Sequence, residues 1–187
     1  MKAESPASFP VAFWLVPAPS YHRTLAAVIE HLSRELNAPR FEPHVTLYAG
    51  ARGADDDVAA LLTRAAHQVE PMDLRVSAVG TMPELFRTLY LELEPDPRTE
   101  RLCRLFQAGL QPALDYVLNP HLSLLYKDLP GTTRVALTRR FDFAGQRITF
   151  GQMAAVRPGG GDNDWLDIAR WDVWLRKDLG SQSSARR

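Results

Sequence analysis

Three things are scarce in this chain of 187 residues, and each scarcity excludes something. Cysteine is reduced to Cys103. A lone thiol can form neither an internal disulfide nor a thiolate metal cluster, so the expected setting is the reducing cytoplasm. Net charge is missing: 22 Lys and Arg balance 22 Asp and Glu. No global field then draws in a long nucleic acid or an anionic membrane, and any anion must be recognised locally. Long apolar runs are missing too. The segment Phe9 to Pro17 is apolar but short and bounded by prolines, which fits a strand and not a bilayer span. The triple glycine Gly159 to Gly161 is not followed by the Lys-[Ser/Thr] of a phosphate-binding P-loop, so an ordinary hairpin loop is expected there.

Against this background one pattern stands out. Pro43-His44-Val45-Thr46-Leu47 recurs 77 residues later as Pro120-His121-Leu122-Ser123-Leu124. A single His-x-[Ser/Thr] match is common by chance in a chain with five histidines. Two that share the flanking Pro, the intervening aliphatic residue and the following Leu are not. In a strand, successive side chains alternate between faces, so His44 and Thr46 share one face and Val45 and Leu47 the other. His121 and Ser123 repeat the arrangement. Two such strands side by side would present an imidazole pair and a hydroxyl pair to one cleft, a set suited to acid–base chemistry on a small phosphate ester.

The hydrophobic pattern supplies the frame. A strand is expected at Val11 to Val16, then a helix capped by Ser20 and running to Leu36 with Leu25, Val28, Ile29 and Leu32 on its apolar side. The first His strand runs to Tyr48 and a second helix from Asp55 to Gln68. Strands at Leu74 to Thr81 and Phe86 to Leu93 lead to a helix at Thr99 to Leu114, then the second His strand and a short helix at Thr133 to Arg140. Strands at Gln146 to Arg157 and Ile168 to Leu175 close the order. The two halves resemble each other, which predicts an α+β fold: a bilobal domain over residues 9–179, two largely antiparallel sheets flanked by helices around a central cleft. Residues 1–8 and 180–187 are polar and read as flexible ends.

These residues point to a family. The two pentads at this separation, the Trp14-Leu15-Val16-Pro17 strand, the Pro39-Arg40-Phe41-Glu42 approach to His44, the Tyr126 after the second pentad and the Trp171-Asp172-Val173-Trp174 strand resemble the two-histidine (2H) phosphoesterase superfamily. Within it they are most similar to the plant-type cyclic phosphodiesterases. The resemblance implies metal-independent opening of small cyclic phosphates without a cofactor: nucleoside 2′,3′-cyclic phosphates to 2′-phosphates, and ADP-ribose 1″,2″-cyclic phosphate to the 1″-phosphate. It also implies that His44 and His121 are the acid–base pair, that Thr46 and Ser123 hold the phosphate, and that Tyr126 and Trp14 match pocket positions.

Other residues are weighed by parity and context. Tyr48 shares strand parity with His44 and could stack on a base. Tyr126 has the opposite parity from His121 and reaches the cleft only if the strand ends or bulges near Leu125. Arg87, Arg40, Lys127 and Arg157 are candidate anion ligands. His22, His31 and His67 lack the pentad and are expected to be structural. The expected partner is a small cyclic-phosphate nucleotide, with no membrane, no long nucleic acid and a monomeric state. Two other readings stay open: an RNA end-processing enzyme that joins or cleaves 2′,5′ linkages, and a nucleotide-binding module without catalysis.

Overall fold

The computed structural model describes residues 8–158 and 166–180; the Gly159 to Gly161 loop lies outside them. Among the described residues there are seven strands and four helices. They are β1 (Ser8–Pro17), α1 (Pro19–Leu36), β2 (Val45–Gly53), α2 (Val58–His67), β3 (Met72–Gly80), β4 (Leu89–Leu93), α3 (Pro97–Ala108), β5 (His121–Leu125), α4 (Gly131–Thr138), β6 (Arg147–Pro158) and β7 (Trp171–Asp178). Single 3-10 turns at Leu85–Arg87 and Ile168–Arg170 precede β4 and β7. None of the described helices is long and apolar enough to cross a membrane.

The element boundaries differ from expectation where local chemistry outweighs the apolar period. Pro19, not Ser20, opens α1: Ala18 holds the cap position and the missing proline N–H costs nothing in the first turn. The acidic run expected inside the second helix stands ahead of it. Asp57 accepts from the Ala60 amide at 2.9 Å, while Asp56 takes the Gly53 and Gln111 amides, both at 2.8 Å. Gly109 stops α3 well short of Leu114. Phe86 sits in a turn and not in a strand.

The fold is α+β with a large antiparallel sheet flanked by helices. Neighbouring strands run β1-β2-β5-β4-β3-β6-β7, and β6 also pairs with β1. The two expected sheets are therefore joined into one hydrogen-bonded network, because β6 is long enough to serve both halves. Its first residues pair with β3 from Arg147 to Phe150, and from Phe150 to Val156 it pairs with β1. At the opposite side of the circuit the connection is thin. The only Cα pairing between β2 and β5 is Val45 with Leu122, the central residues of the two pentads. Pro43 and Pro120, just upstream, have no amide hydrogen to extend a ladder.

Strand alternation then divides the molecule. Val11, Phe13 and Leu15 of β1 join the main core with Leu25, Ile29 and Leu32 of α1 and Phe106 of α3. Ala12, Trp14 and Val16 point the other way and pack with Ala154 and Val156 beneath Trp171 and Val173. With both faces covered, β1 reads in sequence as an unbroken apolar run. The second, aromatic face is the floor of the cleft.

Candidate active site

Each catalytic candidate is aimed by the residues just before it. The ring Nδ1 of His44 lies 2.6 Å from the Glu42 carbonyl oxygen, and Nδ1 of His121 lies 2.7 Å from that of Asn119. In both cases the acceptor belongs to the residue before the pentad proline, which the proline ring restricts to an extended conformation. Nδ1–H donates to a carbonyl in each, so the neutral tautomer leaves the Nε2 lone pair available on both rings. The thin junction sets their relation. Continuing the Val45–Leu122 register by one residue in each direction puts His44 across from Ser123 and Thr46 across from His121. The motifs are thus related by a local two-fold, with the imidazoles on one diagonal and the hydroxyls on the other.

A pocket of about 260 Å³ opens beside them, lined by Ala12, Trp14, Thr46, Ala49, Phe86, Arg87, Tyr116, His121 and Trp171. Trp14, Phe86, Tyr116 and Trp171 give it aromatic walls, and Thr46, Arg87 and His121 bring polar side chains. Dryness decides the protonation states. Burial pushes His44 down to about 4, and the charge of His121 works in the same direction. Burial likewise lowers His121, assisted by the Arg87 guanidinium. Burial thus favours the neutral form of both imidazoles at pH 7. Among the described residues no cluster of three His, Cys, Asp or Glu side chains could hold a metal ion.

The other candidates separate according to one backbone device used twice. In β2, Phe13 pairs with Tyr48 and Trp14 with Thr46, so Leu47 is an extra residue. In β5, Leu89 pairs with Leu125 and Tyr90 with Ser123, so Leu124 is extra. The last residue of each pentad is therefore a β-bulge, and the bulge inverts parity beyond it. Tyr48 is accordingly turned away from the cleft. It is fully buried in the main core, its ring 5.6 Å from that of Tyr116, and the missing Cβ of Gly50 makes room for it. The expectation that Tyr48 faces a substrate is corrected. Its place on the cleft side is taken by Ala49, and in β5 the equivalent position is Tyr126.

Tyr126 stacks on Phe41 at 3.8 Å and meets Phe86 and Trp171 edge-on at 5.3 and 5.9 Å. It lies beside Ser123 with its hydroxyl raised above the usual phenol range by burial. The Ser123 hydroxyl donates to the Phe86 carbonyl at 2.6 Å, so binding a phosphate there requires it to rotate. Trp14 lies against His44 and also lines the pocket.

Of the four basic candidates, only Arg87 lines the pocket. Arg40 pairs with Glu30, Arg157 with Asp172, and Lys127 donates to the Asn37 carbonyl. His22 contacts the Glu42 carboxylate at 3.1 Å and His31 lies near Glu35, both on α1. Sequence reasoning missed Phe86, Tyr116 and Trp171 as pocket walls. Phe86 was placed in a strand, and Tyr116 sits in an irregular connection that carries no periodicity. Trp171 had a usable signal in its aromatic strand, but that strand was not tied to the cleft.

The fold and site together define a two-histidine cleft on an antiparallel sheet, and comparison with known proteins gives the family. Residues 15–160 match the model of the 2′-5′ RNA ligase superfamily, the two-histidine phosphoesterases, and the chain belongs to that family. It is similar to the 2′,3′-cyclic-nucleotide 3′-phosphodiesterase of Kluyveromyces lactis, with 28% identity over 64% of this chain and 65% of that protein. It is also similar to the cyclic phosphodiesterase of Arabidopsis thaliana, with 26% identity over 62% of this chain and 64% of that one. The matches thus span just under two thirds of these relatives. Among solved structures, E. coli LigT complexed with 3′-AMP superposes with a TM-score of 0.59 at 15% identity, over 94% of this chain and all of that one. This last likeness is one of fold.

Proposed function

We propose that the protein is a cyclic phosphodiesterase that hydrolyses small cyclic phosphates: nucleoside 2′,3′-cyclic phosphates to 2′-phosphates, ADP-ribose 1″,2″-cyclic phosphate to the 1″-phosphate, or both. The observation that carries this reading is the matched pair of Nδ1–carbonyl bonds, which leaves Nε2 free for proton transfer on His121, in the pocket wall, and on His44, stacked on the pocket residue Trp14. The relatives named as cyclic phosphodiesterases support it.

In this mechanism one neutral imidazole takes a proton from water as its oxygen attacks phosphorus. The other, protonated imidazole gives its proton to the departing ribose oxygen as that P–O bond breaks. A phosphate monoester and a hydroxyl are formed, and the two rings exchange protonation states. Thr46 and Ser123 bind non-bridging oxygens, where negative charge accumulates. No metal or cofactor enters these steps. The ring strain of a cyclic phosphate leaves little else to supply, and each histidine contributes roughly 10²–10⁴ in rate. The reading also implies a monomeric enzyme acting on a small nucleotide.

The test is phosphorus NMR on a panel of cyclic phosphates with EDTA present, comparing wild type with His44→Ala and His121→Ala. Turnover by the wild type and its collapse in both variants is expected. Metal-dependent turnover would contradict the mechanism. Cleavage of 2′,5′-linked RNA in place of small cyclic phosphates would move the substrate to RNA ends. Binding without reaction would make the protein a nucleotide-binding module.

A further inference from the structure

The pocket poses an electrostatic problem that its histidines do not solve. A cyclic phosphate is an anion, and moving an anion from water into an aromatic-walled pocket is costly unless a charge or several donors meet it. Burial favours the neutral form of both imidazoles, so neither brings a positive charge to the encounter. Among the described residues, Arg87 is the one Lys or Arg whose side chain lines the pocket.

Arg87 is placed firmly and, among the described residues, has no ion-pair partner. The turn Leu85–Arg87 is tied on every side. Ser123 donates to the Phe86 carbonyl at 2.6 Å, and the Met82 amide donates to the Arg87 carbonyl at 2.9 Å. Thr81 donates to the Thr88 carbonyl at 2.6 Å, and Thr88 donates to the Lys127 carbonyl at 2.7 Å. The guanidinium then stands 4.9 Å over the Tyr90 ring, which meets His121 edge-on at 5.6 Å. Its Nε is buried and has no hydrogen-bond partner among the described residues. Other basic side chains near the cleft are spent: Arg176 on Glu42, Arg157 on Asp172 and Lys127 on Asn37.

We propose that Arg87 is the cationic anchor of the site, binding a non-bridging oxygen of the substrate phosphate and of the monoester product. This rests on the function proposed above and adds a ligand outside both pentads. It also explains how His121 gains a proton when substrate binds. Burial is the main reason His121 stays uncharged, and once the phosphate neutralises Arg87 the guanidinium's added repulsion gives way to attraction to the bound anion. The other charged groups around His121 are Glu84, which acts on it favourably, His44, and Glu92 across the strand pair.

The experiment measures inorganic phosphate binding and cyclic-phosphate kinetics for wild type, Arg87→Lys and Arg87→Met. The loss of a charge-assisted contact should raise KM and the inhibition constant of phosphate by roughly ten- to a hundred-fold in Arg87→Met. Arg87→Lys should recover part of both, and the free-enzyme pKa of His121, read by NMR, should rise in Arg87→Met. If Arg87→Met does not fold, phosphate titration of the wild type decides. The Arg87 Nε–H and His121 ring resonances should shift together with one saturation curve, and phosphate binding that leaves Nε–H unmoved overturns the proposal. Arg87-dependent phosphate binding in an enzyme that opens no cyclic phosphate would uphold the anchor and defeat the proposed function. Normal turnover with unchanged KM in Arg87→Met would do the reverse.

Discussion

The indole of Trp14 lies flat against the imidazole of His44, ring centroids 3.6 Å apart and planes within 9°. This contact, with Phe41 and Trp171 edge-on at 6.4 and 6.0 Å, is what dries the histidine. Its consequence is a stability that depends on pH. His44 is held at about 4 in the folded chain and returns to about 6.5 when unfolded. The unfolded state therefore binds a proton more readily, and stability falls as pH drops from 6.5 towards 4. The loss attributable to this group is about 3 kcal/mol. Denaturant titrations at pH 7.5 and 4.5 should show that His44→Gln reduces the difference between the two. An unchanged difference would mean that the ring is not buried in solution.

The rate profiles should separate. The proposed mechanism needs one protonated and one neutral ring, and burial holds both below the ordinary imidazole range. The maximum of kcat/KM is then expected between about pH 4 and 6.5. A bound anion raises both rings, so the kcat maximum should lie at higher pH. Coincident maxima at neutral pH would show that burial does not control the pair.

Two tyrosines near the pentads should behave differently. Tyr48 is in the core beyond the Leu47 bulge, whereas Tyr126 lies on the cleft side beyond the Leu124 bulge. Tyr126→Phe is expected to lower kcat/KM about three- to ten-fold by removing a hydroxyl beside Ser123. Tyr48→Phe should leave kcat/KM within two-fold, roughly. Steady-state assays on the two variants check this, and equal losses would contradict the bulge assignment.

Glu42 links the site to two distant elements. Its carbonyl orients His44, while its carboxylate takes both Arg176 guanidinium nitrogens at 2.9 and 2.6 Å and His22 at 3.1 Å. Burial works to raise the carboxyl, but Arg176 and His22 outweigh it and hold it below the usual range. Glu42→Gln should lower stability by about 1–3 kcal/mol and reduce kcat more than it changes KM. Arg176→Met should do the same, and the double variant should be little worse than either alone, as a double-mutant cycle can show.

Much of the site was legible because it is built from short-range rules. The alternation of a strand places His44 with Thr46 and His121 with Ser123, and the proline before each histidine restricts the residue whose carbonyl holds the ring. The α+β class followed from helical and strand periods of reasonable length. What was not legible has a common cause. Tyr48 was misplaced because a bulge adds one residue without altering composition or hydrophobic pattern. Phe86 and Tyr116 were missed because a single turn and an irregular connection have no period to read. Arg87 could be listed but not distinguished from Arg40, Arg157 and Lys127, since pairing with Glu30, Asp172 or Asn37 depends on the packing of elements far apart in the chain.

The amino-acid sequence by itself determined the chemical repertoire: two imidazoles, two hydroxyls, and the prolines and aliphatic neighbours that set their local geometry. Only the tertiary structure decided that these groups lie side by side. Pairing Val45 with Leu122 brings strands 77 residues apart into register, and aromatic packing buries the His44 ring while His121 stays partly exposed. Local backbone preferences extend over a few residues, whereas register, burial and protonation are properties of what the folded chain places next to what.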